Sequence, residues 1–153
     1  RNDPLCYVAR LRIPFDEHDG ARNYITKLLT YPKTYDNINS ISHVGDFTRT
    51  CLDLYEKDCP VGIYNITNEG AISTREVVMM IQDIMKPERE FKYFSNDEEF
   101  YRVAKTPRSN CVLNIDKIAS VGLPMRRVCD ALREALENWV PVRVLQPMGN
   151  MMN

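Results

Sequence analysis

Glycine is scarce in this chain and badly spaced for cofactor work: its 6 glycines among 153 residues never fall as GxGxxG or GxxGxxG. A turn that lays backbone amides against a pyrophosphate needs that spacing, so no dinucleotide-cradling turn is expected. Other compact catalytic signatures (GxxxxGKS/T, HExxH, GxSxG) are missing as well. The 5 cysteines are odd in number and form no CxxC pair, which argues against a metal site or a disulfide framework. Cys6, Cys51 and Cys129 stand among apolar neighbours and read as reduced, buried thiols of a cytoplasmic protein. No apolar run reaches the roughly 18 residues that a membrane span requires. Acids and bases nearly cancel, to a net charge of −1, which removes the electrostatic reason to expect nucleic acid or an acidic membrane as partner. The opening Arg1-Asn-Asp-Pro4 is unlike a signal peptide and carries no initiator Met, so upstream sequence is expected.

What is present centres on Gly62 to Met85. Ile63, Tyr64 and Ile66 have the composition of a buried strand, and Asn68 and Gly70 supply turn chemistry. Ser73-Thr-Arg-Glu76 fits a capping box. Val77, Val78, Ile81, Ile84 and Met85 follow on one helical face, with Pro87 as the stop. Strand, turn and capped helix together make a β–α unit of an α/β fold.

The rest of the chain is shorter-range. Leu5 to Ile13 reads as a strand, ended by Pro14, whose second half turns Arg10 and Arg12 to one side. Asp19 or Gly20 is expected to cap a helix carrying Tyr24, Ile25, Leu28 and Leu29, and Asn37 to His43 should be extended. A helix starting at Val44 or Gly45 is expected to face Phe47, Cys51, Leu52 and Tyr55 inward. Phe91 to Phe94 suggests a strand, Asn96 an acidic turn, and Asn114 a short helix ending at Gly122. The last helix should run from about Arg126 to Trp139, and residues 142–153 read as a flexible tail behind one domain, 1–141.

Several residues could carry chemistry. Tyr101 and Lys105 have YxxxK spacing, either a phenol beside a cation or an ordinary surface helix. His43 is a base, a ligand or a plain polar position. Arg10 and Arg12 either end a solvated strand or line an anion site, as strand ends do in α/β sheets. Arg108, beside Pro107, Ser109 and Asn110, is either a clamp for phosphate oxygens or a structural loop arginine.

Several stretches, in order, resemble the C-terminal half of extended short-chain dehydrogenase/reductases, the sugar-nucleotide epimerase/dehydratase/reductase family. Val8 to Pro14 resembles that family's sixth strand. Arg22-Asn-Tyr-Ile-Thr-Lys-Leu-Leu29 is similar to the following helix of dTDP-4-dehydrorhamnose reductases, and Gly62 to Asn68 with Ser73 to Val77 to the next strand and helix. Thr106-Pro-Arg-Ser-Asn-Cys-Val-Leu-Asn114 with Lys117 resembles a late motif, although Asn114 stands where an acid is expected; Leu123 to Leu136 resembles the closing helix.

The resemblance implies a fragment of a Rossmann-like parallel sheet plus a mixed α/β substrate lobe. It also implies a parent NAD(P)-dependent sugar-nucleotide reductase, dehydratase or epimerase of deoxysugar synthesis. The implied substrate-binding residues are Arg108, Asn110, Asn23, Arg10 and Arg12, and the implied ligand is a nucleotide sugar. The family's cofactor fingerprint and catalytic Tyr and Lys belong to its earlier half, so Tyr101 and Lys105 fall in the wrong place. NAD or NADP is therefore expected in the parent and neither on this chain alone. Severed sheet neighbours should favour a homo-oligomer or association through an exposed edge. The alternative is a non-catalytic interaction or structural module that keeps the scaffold without the cofactor half. Calorimetry of this chain with NAD and with NADP should show no saturable binding; low-micromolar binding of either would overturn the argument from the missing turn.

Overall fold

The computed structural model describes residues 6–104 and 109–142, a mixed α/β arrangement. The first strand, β1 (Tyr7–Arg10), pairs in parallel with β5 (Gly62–Asn65) in the register Tyr7↔Gly62 to Arg10↔Asn65. The Ile66 amide extends the ladder to the Arg10 carbonyl at 3.0 Å. Parallel neighbours need a long crossover, and its last part is α2 (Val44–Glu56). β1 is shorter than expected. Ile13 has φ 41°, and the Arg12 amide donates to Ser42 Oγ at 3.2 Å instead of to a neighbouring strand. Pro14 does not simply end it either, because β2 (Pro14–Phe15) pairs in parallel with β4 (Ser42–His43).

Between β2 and β4 lie α1 (Tyr24–Thr30) and β3 (Ile38–Asn39). The cap of α1 is Asn23, whose side chain accepts the Ile25 amide; Asp19 and Gly20 stand too early. The extended reading of 37–43 holds for β3 and β4, yet Ser40, Ile41, Ser42 and His43 are all buried. Polar composition concealed an interior segment.

The helix α3 (Thr74–Met85) begins with both halves of the Ser73–Glu76 capping box. Just before it, β6 (Ile72–Ser73) pairs antiparallel with β3. Val77, Val78 and Ile81 are buried against α6 (Val128–Glu137), which contributes Val128, Ala131, Leu132, Ala135 and Leu136. A second core gathers Leu54, Cys59, Tyr64, Ile66, Ile118, Leu123 and Met125. It fills the space between β1–β5, α2 and α5 (Asp116–Ser120).

Four further expectations change. The inward face of α2 is Phe47, Thr50, Cys51 and Leu54, while Leu52 and Tyr55 are 57% and 74% exposed. Phe91 to Phe94 is no strand; it makes an isolated bridge between Tyr93 and Thr34. Cys129 is exposed, Cys6 and Cys51 are half-buried, and all five cysteines are free thiols. The acidic turn after Asn96 is a short helix, α4 (Asp97–Val103), capped by that residue. The expected tail beyond Val142 lies outside the described residues.

Alternation gives the β1–β5 pair two distinct faces. Tyr7 and Tyr64 point into the second core. On the opposite face Val8 and Ile63 remain 41% and 38% exposed. Among the described residues the other edge of β1 has no strand partner. Removing the capping hydroxyl with Ser73→Ala should lower stability by about 1 kcal/mol, measured by urea denaturation with an unchanged m-value.

Candidate functional site at the strand carboxyl ends

Ligands of open α/β sheets bind outside the carboxyl ends of the strands. Here those ends carry polar side chains. Arg10 and Asn65 are register partners, and Arg12 and Thr67 follow two residues on, past the paired strands. Between the two diverging runs lies the buried segment 39–43, held by hydrogen bonds on both sides. The Ser42 amide donates to the Ile13 carbonyl at 3.3 Å and the Asn68 amide to the Ile41 carbonyl at 3.0 Å. The hydroxyl of Ser42 donates to the Ile66 carbonyl at 2.9 Å.

The candidates are placed unequally. Arg10 is exposed and makes no hydrogen bond or ion pair among the described residues. Arg12 is half-buried and donates from Nη2 to Asn39 Oδ1 at 2.7 Å. Asn110 is exposed, and its Oδ1 accepts the Ile38 amide at 2.9 Å, next to β3. Asn39 in turn bridges Cys111, so β3 links Arg12 to the segment after Asn110. Asn23 is buried and committed to its own loop. Its Nδ2 donates to Asp16 Oδ1 at 2.9 Å and to the His18 carbonyl at 2.7 Å. Arg108 and Lys105 lie outside the described residues; Tyr101 sits in α4.

Sequence reasoning missed the charged cluster around His43. The His43 ring lies edge-on to Phe15 at 5.4 Å, with Nε2 3.4 Å from Glu17 Oε2. Its Nδ1 accepts the Asp46 amide at 3.3 Å and caps α2. Asp46 Oδ2 accepts Arg126 Nε and Asn68 Nδ2, each at 2.7 Å. Arg126 also pairs with Glu134 of α6, while Asn68 Oδ1 accepts the His43 amide at 2.7 Å. The signal was the His-Val-Gly-Asp run opening a helix, which gives little warning of a cap by imidazole. Burial pushes the Asp46 carboxyl up, but hydrogen bonds from His43, Arg126 and Asn68 outweigh it and hold it well below the usual carboxylate range. The nearby Asp46 carboxylate raises the His43 pKa, against burial and the Arg126 charge, with help from Glu17.

Two clefts adjoin this cluster. One of about 380 Å³ lies between the 14–23 loop and Val44. The other, about 350 Å³, lies between α2 and residues 122–126. Neither contains Arg10 or Arg12, so the strand-end face is distinct from both. Among the described residues no cluster of His, Cys, Asp and Glu could hold a metal, and no helix is long and apolar enough to cross a membrane.

Parallel strands joined through a crossover helix, with arginines at their carboxyl ends, define part of a Rossmann-like α/β unit. Comparison with known proteins narrows this. No protein-family model matches the chain. A bifunctional dTDP-4-dehydrorhamnose 3,5-epimerase/dTDP-4-dehydrorhamnose reductase of Arabidopsis thaliana is 32% identical over 110 residues, 71% of this chain and 36% of that protein. The L780 protein of Acanthamoeba polyphaga mimivirus is 28% identical over 127 residues, 83% of this chain and 43% of its own. The crystal structure of L780, described as a UDP-rhamnose synthase, matches with a TM-score of 0.78 over 86% of this chain and 45% of that one. A Bacillus anthracis dTDP-4-dehydrorhamnose reductase in complex with NADP shares the fold at a TM-score of 0.67 and 17% identity, over 87% of this chain and 47% of its own. These relatives and neighbours are thus described as enzymes of rhamnose synthesis, in line with the sequence resemblance. The match is consistent with the C-terminal half of an extended short-chain dehydrogenase/reductase. The chain spans less than half the length of these relatives.

The cluster makes stability depend on pH in a definite direction. A raised folded-state pKa means that the contribution of protonated His43, whose Nδ1 then faces Asp46 Oδ1 at 3.7 Å instead of accepting the Asp46 amide, is fully present below its unfolded value of 6.5 and is lost as pH rises through the folded value. The melting-temperature advantage of the wild type over His43→Gln should therefore shrink from pH 6 to pH 8.5. An advantage that grows with pH would exclude the protonated pair.

Proposed function

We propose that this chain supplies nucleotide-sugar contacts in an NAD(P)-dependent sugar-nucleotide reductase, dehydratase or epimerase. Cofactor binding and hydride transfer belong to the part of the relatives that this chain does not span. The observation carrying this reading is the pairing of relatives with geometry. The relatives named for rhamnose synthesis match most of the chain, and β1 ends in Arg10, with Arg12 two residues beyond it. A neighbouring reductase holds NADP, which supports NAD or NADP as the parent's cofactor.

In this reading the chain binds and orients. Arg10, free at the end of β1, offers a cation to a diphosphate, and Arg12 approaches from beneath β3. Asn110 fixes the segment that follows Arg108, and Asn23 acts at one remove by capping α1. Arg108 would grip two phosphate oxygens through its planar fork, a geometry that lysine lacks. The open edge of β1 and the exposed Val8 and Ile63 support association through this sheet, since parallel sheets are normally covered on both faces.

The test uses the full native protein. Arg108→Lys should weaken UDP-glucose binding almost as much as Arg108→Ala, by roughly 1.5–3 kcal/mol for a lost charged hydrogen bond, with cofactor affinity and melting temperature unchanged. Arg102→Ala, at an exposed position of α4, is the silent control. Should Arg108→Ala lower the melting temperature and leave UDP-glucose affinity untouched, Arg108 is a structural loop residue and the assignment fails.

A further inference from the structure

The loop 16–22 is bonded mostly to itself and to α1. The His18 amide donates to Asp16 Oδ1 at 3.0 Å, and Asn23 Nδ2 to the Asp16 carbonyl at 2.9 Å. The Thr26 hydroxyl donates to Asp19 Oδ1 at 2.7 Å and accepts the Gly20 amide at 3.1 Å. The chain after α6 joins the same loop. The Val140 amide donates to the Glu17 carbonyl at 2.8 Å, the Asp19 amide to the Val140 carbonyl at 3.0 Å, and the Val142 amide to Asp19 Oδ2 at 3.3 Å. Beyond α1 and this closing segment, the loop side chains make one hydrogen bond or ion pair among the described residues, from Glu17 to His43. Glu17 therefore holds the body of the molecule with its carboxylate and residue 140 with its carbonyl. The loop it anchors is the wall of the cleft of about 380 Å³.

The surroundings of the imidazole come from three elements. Glu17 faces Nε2 from the loop at 3.4 Å. From α2, the Asp46 amide meets Nδ1 at 3.3 Å, and Asp46 Oδ1 lies 3.7 Å from it. From the approach to α6, Arg126 Nη2 lies 3.5 Å from Nδ1. One step further out, His18 Nδ1 is 3.6 Å from Glu17 Oε1, and Glu134 pairs with Arg126. The side chains of His43 and Glu17 are 10% and 35% exposed, so the contact is shielded from water but open to protons.

In the neutral ring Nδ1 accepts the Asp46 amide and Nε2 carries its hydrogen toward Glu17. A proton on Nδ1 makes both nitrogens donors. The bond to Glu17 becomes charge-assisted and stronger, while Nδ1 turns from the amide of Asp46 to its carboxylate. Glu17 stays ionised through this change, because its own backbone amide, and after it His43, hold its carboxyl below the usual range. Arg126 opposes the new charge, and the two carboxylates favour it.

We propose that His43 and Glu17 form a proton-operated latch that holds loop 16–22, with residues 140–142, closed beside the cleft. The latch is tight below the unfolded histidine value of 6.5 and relaxes as pH rises through the higher folded value. Because Glu17 carries both contacts, the loop and the closing segment loosen as one local unit. The latch is independent of the nucleotide-sugar reading. Its consequence is a cleft whose wall is firmer in mild acid than in mild base.

Amide hydrogen exchange of the full native protein tests this, read as protection factors so that the intrinsic pH dependence of exchange drops out. The amides of Asp19 and Val140, which interlock the loop and the closing segment, report opening of the unit. In the wild type both should lose protection by about two- to fivefold between pH 6 and pH 8.5, the scale of a partly exposed ion pair. Glu17→Gln keeps the size of the side chain and removes its charge at a half-buried position. It should show the lower protection already at pH 6 and little further loss. Equal wild-type protection at the two pH values overturns the latch. The same fall in Glu17→Gln overturns it as well, since the proton would then act through Asp46 alone. A fall at Asp19 without one at Val140 overturns the joint unit.

Discussion

The carboxylate of Asp46 holds this structure together. It draws Arg126 and Asn68 onto one oxygen and lies beside the imidazole that caps its own helix. Three segments far apart in sequence meet there: the start of α2, the turn after β5 and the approach to α6. Replacing one partner would leave charges half-buried and unpaired, which is costly. The placement of the strand-end face follows from this junction. Asn68 accepts the His43 amide and so fixes β4 against the end of β5. With β4 fixed, Ile41 and Ser42 are held between the Arg12–Ile13 run and the Ile66–Asn68 run.

What the sequence disclosed, and what it hid, follows from the range of the interactions. The α3 capping box was legible because its partners are three residues apart. α6 was legible because its apolar positions repeat at helical spacing and all enter one core. The face of α2 was misread by about one position. Thr50 is buried against Met125 Sδ, and a buried threonine leaves no apolar mark. Leu52 and Tyr55 looked like core and are not. Asn23 and His43 are caps whose partners, Asp16 and Glu17 among them, come from the loop that a linear reading passes over. Of the candidate site, the arginines were visible as an alternation within one strand. Asn65 was not, because only the β1–β5 register brings it beside Arg10.

The comparison with longer relatives gives a physical sense to the uncovered face. A parallel pair with core on one side and half-exposed Val8 and Ile63 on the other is unusual for an isolated α/β unit. Its covered side is complete within the chain, since α2 and α5 close over Tyr64 and Ile66. The asymmetry runs along the strands as well. At their amino ends the open face is apolar, with Val8 beside Ile63, and at their carboxyl ends it is polar, with Arg10 beside Asn65.

That gradient also separates the roles of the two arginines. Arg10 sits where the open face meets solvent, so its charge is hydrated and acts at a distance, screened by salt. Arg12 is half-buried and tied to Asn39, so it gives up hydration and rotamer freedom before any ligand arrives. A residue held that way contributes little through bulk charge and much through direction, because its guanidinium is fixed by the Asn39 bond. The same residue type, two positions apart in sequence, therefore meets two different surroundings: solvent at the end of β1, and the interior just past it.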